Sequence, residues 1–249
     1  MYRFFINSGQ IDDGMLRITG EDVNHMKNVL RMKAGEDFEA ADENGRISTC
    51  RIKEINIREI FAEVLFHEES NAELKNRITL FMGLPKFDKM ELIIQKAVEL
   101  GAAEIVPVIT KRTVVKLDDK KSAGKILRWQ TIAEAAAKQS KRAFIPEVKG
   151  IVSFHEALDL AGNLDLVLIP YECADNMEST KKIIRNIRSG ESIGIFVGPE
   201  GGFEKSEIEE AEKKGASEIT LGHRILRTET AAIAVLSILM FALGDGSEV

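Results

Sequence analysis

Residues 77–243 alternate between short apolar runs and longer segments in which apolar residues recur every three or four positions. This alternation constrains the fold more than any other feature, because parallel strands need long crossover connections, usually helices, to join them. It predicts an α/β domain with a mainly parallel sheet, which binds ligands outside the carboxyl ends of its strands. A capping-box pattern, Ser206 with Glu209, opens the fourth predicted helix. The predicted strands are 77–84, 105–109, 164–169, 192–197 and 218–221, and the predicted helices are 89–100, 125–141, 178–188, 206–215 and 228–243.

The first 70 residues show a different pattern, in which short strand candidates predominate. An Asn44-Gly45 pair lies between two strand patterns, 36–42 and 46–55, and Asn-Gly in that position is a strong signal for a β-hairpin. We therefore predict a small β-barrel, separated from the α/β domain by a polar linker at 68–76. The other predicted elements of the barrel are strands at 1–6 and 57–66 and one helix at 22–31.

The net charge is −6, from 34 basic and 40 acidic residues, and taken alone it argues weakly against a polyanionic partner. The charge is unevenly distributed, however, since the segment 111–149 holds 11 basic and 4 acidic residues and so carries +7. A solvated helix face explains such a segment, and so does a phosphate-binding surface on an otherwise acidic protein. The basic residues are Lys111, Arg112, Lys116, Lys120, Lys121, Lys125, Arg128, Lys138, Lys141, Arg142 and Lys149.

Several classes of protein are disfavoured. The apolar fraction of 44% supports a sizeable core and excludes disorder as the dominant state. Cys50, Cys173 and the four histidines have no metal-ligand spacing, and the sequence has no Gly-x-Ser-x-Gly motif of a covalent hydrolase. The longest uncharged apolar stretch, 231–243, has 13 residues and is too short to span a membrane. We therefore expect a soluble, cytoplasmic protein that has neither a metal nor a membrane as a partner.

Three turns follow predicted strands of the α/β domain and are candidates for one ligand pocket. The first is 168–172, the second is Gly198-Pro-Glu-Gly-Gly-Phe203, and the third begins at Leu221-Gly222 and runs into the last helix. Glycine permits positive φ and a close approach of the backbone to a ligand, although a tight strand-to-helix turn needs it equally. The order of the glycines matches neither the dinucleotide-binding nor the P-loop pattern, so these two sites are disfavoured.

The second and third turns carry the motifs by which the chain resembles a known family. Gly198-Pro-Glu-Gly-Gly-Phe203, followed by Leu221-Gly-His-Arg-Ile-Leu-Arg-Thr-Glu-Thr-Ala231, is similar to the ribosomal RNA small subunit methyltransferase E family. Members of that family are S-adenosylmethionine-dependent methyltransferases that act on N3 of a uridine in 16S ribosomal RNA. Shorter matches follow the family order at His25–Arg31, Lys89–Gly101 and Glu134–Arg142, so the resemblance covers nearly the whole chain.

This resemblance implies a PUA-like β-barrel over residues 1–70 and an α/β-knot (SPOUT) domain over residues 73–249. In such a domain the sheet is mainly parallel with helices on both faces, and the chain end threads a loop to form a deep trefoil knot. The strand pattern alone would not suggest a knot, because knots are otherwise nearly absent from proteins. The family further implies S-adenosylmethionine (SAM) as the cofactor, a homodimer that completes the active site, and 16S ribosomal RNA or the small ribosomal subunit as the substrate.

If the chain catalyses this reaction, its own residues suggest which of them are functional. Arg227 is the candidate cation that stabilises negative charge on the uracil carbonyls, and Glu229 is the group that orients Arg227 or accepts the N3 proton. A role of Glu229 as a helix cap alone stays open. The candidate cofactor-binding residues are Leu168, Pro170, Glu172, Val197, Gly198, Pro199, Glu200, Gly201, Gly202, Leu221, Gly222, Arg224, Ile225, Leu226 and Thr230. The candidate RNA-binding residues are Arg3, Arg31, Arg112, Lys138 and Arg142.

Three alternatives remain at this point. The first alternative is methyl transfer to a ribose 2′-hydroxyl or to a guanine, because Gly-Pro-Glu-Gly-Gly turns occur widely in knotted methyltransferases. The matches at residues 25–31 and 226–231 favour transfer to uridine N3. The second is a non-catalytic RNA-binding assembly factor, which would lack affinity for SAM. The third is a small-molecule nucleotide enzyme, which would act on a free nucleoside rather than on ribosomal particles.

Overall fold

The computed structural model describes residues 1–69, 72–114, 119–172, 174 and 176–244, and the chain divides into two units. One unit contains Met1–Glu73 together with Ala137–Ile145, and the other contains Leu74–Ala136 together with Pro146–Val249. The assignment of Ala137–Ile145 to the first unit differs from the two contiguous domains that the sequence predicts.

The first unit is built on one six-stranded sheet that curls around a core of its own. Its strands are β1 (Arg3–Phe5), β2 (Ile11–Asp12), β3 (Met15–Thr19), β4 (Asp37–Ala41), β5 (Arg46–Ile55) and β6 (Glu59–Glu69). They lie in the order β1-β4-β5-β6-β3-β2; β1 and β4 pair in parallel, and the other neighbours are antiparallel. The helical segments are α1 (Glu21–Asn24), a π-helical turn at His25–Val29 and a 3₁₀ turn at Ser8–Gln10.

The β-hairpin predicted at Asn44-Gly45 is confirmed, since β4 and β5 pair antiparallel on either side of it. Asp42 closes the turn because its Oδ1 accepts hydrogen bonds from the backbone N–H groups of Asn44 at 2.9 Å and Arg46 at 3.0 Å. Gly45 has φ +79°, a conformation that glycine adopts without strain. The local turn chemistry was therefore sufficient to predict this element.

Two features of the first unit differ from the predictions. The predicted helix at 22–31 is one α-helical turn followed by a π-helical turn, and Arg31 then adopts φ +55°, which no helix can continue. Strand β3 was not predicted, although Leu16 and Ile18 alternate with outward-facing neighbours as a half-buried strand requires. Glycines 14 and 20 bound this short run and give it the composition of a loop.

Contacts of Arg142 and its neighbours explain why residues 137–145 belong to the first unit. The Arg142 guanidinium binds the carboxylate of Glu73, with Nε 2.8 Å from Oε1 and Nη2 2.7 Å from Oε2. Arg3 donates a hydrogen bond of 3.1 Å to the backbone carbonyl of Arg142, and Ala143 packs on buried residues of β4 and β5. Local periodicity cannot predict a pair whose members lie 69 residues apart.

The second unit is built on one seven-stranded sheet, and all the strand pairs that the structure describes in it are parallel. Its strands are β7 (Arg77–Gly83), β8 (Ala102–Ile109), β9 (Glu147–Val148), β10 (Val152–Ser153), β11 (Leu166–Pro170), β12 (Ser192–Val197) and β13 (Ser217–Ile219). They lie in the order β10-β8-β7-β12-β11-β13, and β9 pairs with β8 outside this path. The predicted mainly parallel sheet is confirmed.

Helices cover both faces of this sheet. They are α2 (Lys89–Glu99), α3 (Asp119–Gln139), α4 (Phe154–Ala161), α5 (Met177–Arg185), α6 (Lys205–Lys213) and α7 (Thr228–Leu243). On one face α4 and α6 pack with Phe81 and Phe196, whose rings stack with centroids 4.5 Å apart. Leu80 and Ile195 point to the opposite face of the sheet and are fully buried. On that face α2 and α7 contact each other, α2 contacts β8, and α7 contacts β12. Within the described ranges no helix is long and apolar enough to cross a membrane.

Helix α4 was not predicted, although the sequence contains its start signal. Ser153 accepts a hydrogen bond of 3.2 Å from the N–H of Glu156, and Glu156 accepts one of 2.8 Å from the N–H of Ser153. This reciprocal pair is a capping box, so the Ser-x-x-Glu pattern at these positions was the signal that could have predicted the helix.

Helix α6 has a capping box, but two residues before the predicted one. Glu204 and Glu207 form it, not Ser206 and Glu209, and the Glu207 carboxylate accepts from the N–H of Glu204 at 2.8 Å. Glu207 is buried and also accepts a hydrogen bond of 2.9 Å from the N–H of Lys111. This second, long-range partner holds the start of the helix at Glu204.

Gly83 ends strand β7 where the backbone of the neighbouring turn passes very close. A Cβ atom placed on Gly83 would lie 2.6 Å from Cδ and 2.8 Å from N of Pro199. Neither atom belongs to a flexible side chain, so a larger residue would have to displace the turn that follows β12.

We expect Gly83→Ala to destabilise the protein by about 1–3 kcal/mol, because the added methyl overpacks this contact. Thermal unfolding followed by circular dichroism measures the change as a lower Tm. Gly150→Ala is the matched control, since a Cβ at that exposed glycine meets no atom within 4 Å. Equal Tm values for the two variants would contradict the close contact at Gly83.

Candidate functional site

The turns after β11, β12 and β13 line one pocket at the carboxyl edge of the parallel sheet. Strand β11 lies between β12 and β13, so the turns that follow these strands are neighbours in space. Thirteen of the fifteen residues predicted for cofactor binding line the pocket. They are Pro170, Glu172, Val197, Gly198, Pro199, Glu200, Gly201, Gly202, Leu221, Gly222, Arg224, Ile225 and Leu226.

The other two predicted residues lie elsewhere. Leu168 is fully buried within the sheet, and Thr230 is exposed on α7. The pocket has further lining residues that were not predicted, namely Tyr171, Phe203, Thr228 and Ala231. Each of these four residues belongs to one of the motif segments, so the sequence could have predicted that they lie near the pocket. The segments do not indicate, however, which side chains face the cavity.

A hydrogen bond joins the two family motifs at the floor of this pocket. The Thr228 hydroxyl, at the start of α7, donates to the backbone carbonyl of Gly198 at 2.6 Å. Thr228 is buried, and the N–H of Gly202 bonds to the carbonyl of Pro199 at 2.9 Å to close the glycine-rich turn. The turn after β12 is therefore held both by its own backbone and by the last helix.

An ion-pair cluster connects the same two motifs at a second point. Lys89 Nζ lies 3.2 Å from Oε1 of Glu200 and 3.2 Å from Oε2 of Glu229. Glu200 also accepts hydrogen bonds from the backbone N–H of Lys86, at 3.0 Å and 3.2 Å. One ammonium group thus neutralises two carboxylates that come from different turns.

Both carboxylates in this cluster are held in the anionic form. Burial alone would raise the pKa of Glu200, but its own backbone N–H, that of Lys86 and the Lys89 ammonium outweigh burial and lower it. Burial likewise acts to raise the pKa of Glu229, and its own N–H, Lys89 and the charge of Arg227 lower it overall. A carboxylate whose pKa is lowered is a weaker base than an ordinary glutamate.

Arg227 precedes α7 with an extended backbone, and its side chain is exposed. Its carbonyl accepts the N–H of Ala231 at 2.8 Å, which starts the helix. Among the contacts that the structure describes, Glu229 pairs with Lys89 and not with Arg227, so the predicted orientation of Arg227 by Glu229 has no direct contact behind it. The catalytic role of Arg227 stays a prediction.

Arg112, a candidate RNA-binding residue, is engaged with the glycine-rich turn. Its Nε lies 2.8 Å from Oε1 of Glu204, and its Nη1 donates to the carbonyl of Gly201 at 2.6 Å. The backbone N–H of the preceding residue, Lys111, binds Glu207. The segment after β8 therefore supports the pocket, and Arg112 is only partly available to a phosphate.

The other candidate RNA-binding residues lie in the first unit and differ in exposure. The Arg3 side chain is 8% exposed and pairs with Glu39, and the Arg142 side chain is 3% exposed and pairs with Glu73. Because both are buried, a phosphate has little access to either of them. Lys138 is 20% exposed and lies 3.2 Å from Asp22. Arg31 is exposed.

Much of the basic segment 111–149 is likewise engaged in local contacts. Arg128 pairs with Glu91, Lys149 pairs with Glu104, and Lys125 lies over the ring of Trp129. Lys116 lies outside the described residues, as do the side chains of Lys120 and Lys121 and the whole of Cys173. The described part of the chain contains no group of three or more His, Cys, Asp or Glu residues that could hold a metal ion.

Comparison with known families identifies the class of protein to which this fold and pocket belong. Residues 72–240 match the model of the RNA methyltransferase domain, and residues 18–65 match that of the RNA methyltransferase PUA domain. The chain is thus an RNA methyltransferase with an N-terminal PUA domain.

Individual relatives define the family more closely. The chain is 36% identical to the ribosomal RNA small subunit methyltransferase E of Bacillus subtilis, over 97% of this chain and 96% of that protein. The solved structure of the enzyme of that name from Neisseria gonorrhoeae, bound to SAM, matches with a TM-score of 0.83 and 32% identity, covering 99% and 100% of the two chains. A protein from Legionella pneumophila, solved with the cofactor SAM, matches with a TM-score of 0.84 and 32% identity, over 97% of each chain. The chain belongs to the ribosomal RNA small subunit methyltransferase E family.

Proposed function

We propose that this protein transfers the methyl group of SAM to N3 of one uridine in 16S ribosomal RNA, in the cytoplasm. The observation that carries the proposal is the meeting of both family motifs in one pocket, where Thr228 bonds to Gly198. The N-terminal PUA domain supports an RNA substrate rather than a free nucleoside. The assembled small subunit is the alternative form of the same substrate.

The residues of the pocket fit SAM, which combines an adenine ring, an amino-acid tail and a sulfonium cation. Leu221, Ile225 and Leu226 offer apolar side chains to the adenine faces, and Ile225 is 85% exposed. The carboxylates of Glu172 and Glu200 supply negative charge suited to a cation. When bound, SAM supplies a methyl group already activated by its positively charged sulfur, so the protein needs no nucleophile of its own.

The protein's main chemical task is then to hold the uracil ring in line with the methyl group and to favour its deprotonated form. N3 must lose a proton, and negative charge spreads onto the two neighbouring carbonyl oxygens. The exposed guanidinium of Arg227 stands next to the third turn, where it can donate to such an oxygen. We assign Glu229 to holding Lys89 and not to proton transfer, because its pKa is lowered.

The proposal is tested by mapping methylation of ribosomal RNA in cells that lack this protein. We expect the loss of one N3-methyluridine in the small subunit, restored by the wild-type gene. The Arg227→Ala variant should bind SAM normally yet transfer the methyl group about 100-fold more slowly, since one donor to the developing charge is removed.

Three outcomes would count against parts of this proposal. A missing ribose methyl group or methylguanosine would identify one of the other knotted RNA methyltransferases, and an unchanged modification pattern without SAM binding would favour an assembly factor. Arg227→Ala with the wild-type rate would remove Arg227 from the mechanism. Arg188→Ala, at a position whose side chain is 86% exposed and distant in sequence from the motifs, is the control substitution.

For RNA binding we propose the exposed cations within and just after the π-helical turn, Lys27, Arg31 and Lys33. Their side chains have no ion pair or hydrogen bond to any residue that the structure describes, so their charges are available to phosphates. Val29, between them, is 65% exposed and can pack on a base or sugar. This choice replaces Arg3 and Arg142, which are buried in ion pairs.

Neutralising Lys27, Arg31 and Lys33 to Gln should flatten the dependence of log Kd on log salt by about one unit for each phosphate that the variant no longer neutralises. Fluorescence anisotropy with a 16S ribosomal RNA fragment measures this slope. The control removes the same charge from Arg17, Arg51 and Lys53, each of which is paired with a carboxylate. Identical slopes for the two triple variants would exclude the proposed surface.

We also propose that the protein forms the homodimer that the family implies. Helix α7 supports this, because it leaves Ile238, Met240 and Phe241 exposed, Phe241 at 88%. Large apolar side chains that share one exposed helix end are typical of an interface. Any second subunit would lie against the helix that carries Thr228 and Glu229, close in sequence to the pocket motifs.

Sedimentation equilibrium should give about twice the chain mass of 27.7 kDa. Phe241→Glu should shift the equilibrium toward the monomer, because it places a charge in an apolar interface. Ile57→Glu, at a residue 87% exposed in the first unit, is the control and should leave the dimer intact. A monomeric wild-type protein, or a Phe241→Glu dimer of unchanged stability, would refute this interface.

A further inference from the structure

Lys89 lies in one of the family-like segments, yet the mechanism above leaves it without a role. It is the first residue of α2, and its side chain is 30% exposed. Its Nζ lies 3.2 Å from a carboxylate oxygen of Glu200 and 3.2 Å from one of Glu229. Glu200 belongs to the turn after β12 and Glu229 to the first turn of α7, so a single ammonium group joins the two motifs.

The two carboxylates depend on this shared cation to lie close together. Two like charges at one site repel each other, and a cation between them converts the repulsion into attraction. The side chains of Glu200 and Glu229 are 28% and 17% exposed, so solvent screens these charges less than at an open surface. Glu200 is fixed independently by the N–H of Lys86, so Lys89 links α7 to an anchored side chain, beside the direct hydrogen bond from Thr228 to Gly198.

We propose that Lys89 is a positioning residue that couples the glycine-rich turn to the start of α7 and so holds the pocket ready for its ligand. The inference rests on the proposed function, because it takes SAM as that ligand. Lys89 is not among the described residues that line the pocket, so it acts through Glu200 and Glu229 and not by touching the ligand.

Arg112 provides a comparison within the same site. It binds the carbonyl of Gly201 in the glycine-rich turn and the carboxylate of Glu204 just after it, but none of its described contacts is with α7. Loss of Arg112 therefore loosens the turn alone, whereas loss of Lys89 removes a link between the turn and the helix and leaves only the hydrogen bond from Thr228 to Gly198. A coupling between Glu200 and Glu229 is thus expected to depend on Lys89 and to survive the loss of Arg112.

Calorimetric binding of SAM and of its product S-adenosylhomocysteine, which lacks the sulfonium charge, to the full-length protein tests the inference. Lys89→Met should weaken both ligands by about fivefold, the size expected for a partly shielded, charge-assisted contact. The loss for S-adenosylhomocysteine should be at least as large as that for SAM, because a positioning role affects both ligands and the uncovered carboxylates attract only the sulfonium. Lys89→Arg should recover most of the affinity. Lys96→Met is the matched control, since Lys96 lies on the same helix, is 35% exposed and pairs with Glu99.

A mutant cycle separates coupling from a general loss of stability. Glu200→Gln and Glu229→Gln, alone and together, should have non-additive effects on SAM affinity while Lys89 is present. In the Lys89→Met background the non-additivity should change sign, because only the repulsion between the two carboxylates remains, whereas in the Arg112→Ala background it should keep its wild-type sign. If Lys89→Met does not fold, as thermal unfolding would show, Lys89→Arg and the cycle in the wild-type background carry the test.

The outcomes distinguish this inference from the proposed function. A wild-type protein that binds neither ligand would overturn the proposed function and the inference with it. Wild-type binding together with an unchanged Lys89→Met affinity would overturn the inference and leave the function intact. An unchanged affinity for S-adenosylhomocysteine would also overturn it, since a positioning role must affect the ligand that lacks the sulfonium charge. Additive effects in the wild-type cycle would exclude the coupling.

Discussion

Parallel pairing of β12 with β7 on one side and β11 on the other is the constraint on which the site depends. Ile195 of β12 lies opposite Leu80 of β7 and Leu168 of β11, so all three strands end at the same edge. The glycine-rich turn leaves the sheet at the centre of that edge, and Pro199 passes over the end of β7. The turns that follow the neighbouring strands therefore lie beside it, and together these segments, which are remote in sequence, form a pocket. The two family motifs are adjacent because of strand order, and the contacts of Thr228 and Lys89 fix how closely they approach.

Features that depend on local chemistry were predictable from the sequence, and features that depend on distant partners were not. The Asn44-Gly45 hairpin and the alternation of strands and helices each have their cause within a few residues. The start of α6 was misplaced because Lys111, far away in the chain, determines which glutamate forms the cap. Residues 137–145 joined the first unit because Arg142 is neutralised by Glu73, and no periodicity in either segment encodes that pair. The motifs located the pocket, but they could not separate Leu168, which the sheet buries, from Pro170, which faces the cavity.

The charged residues show the same difference between what the sequence predicts and what depends on distant partners. The net charge of −6 and the local excess of +7 are both sequence facts, yet neither identifies the basic residues that a phosphate can reach. In the structure Arg128, Arg142 and Lys149 of the basic segment are balanced by carboxylates outside it. The cations without such partners among the described residues include Lys27 and Arg31, which lie outside the basic segment 111–149. Availability of a charge is a property of its three-dimensional neighbours, and counting along the chain does not measure it.

The pocket must accept a cationic cofactor and a polyanionic substrate side by side, and the distribution of its charges answers both demands. Glu200, which lines the pocket, and Glu229 are partly shielded and paired with Lys89, whereas Arg224, which also lines the pocket, and Arg227 are exposed. Partly shielded carboxylates favour a cation such as the sulfonium, and exposed guanidinium groups favour an anion such as a phosphate. Without Lys89, two uncompensated carboxylates would extend their repulsion toward the approaching phosphates. Its ammonium therefore has two effects, because it links the glycine-rich turn to α7 and also compensates the charge of two carboxylates.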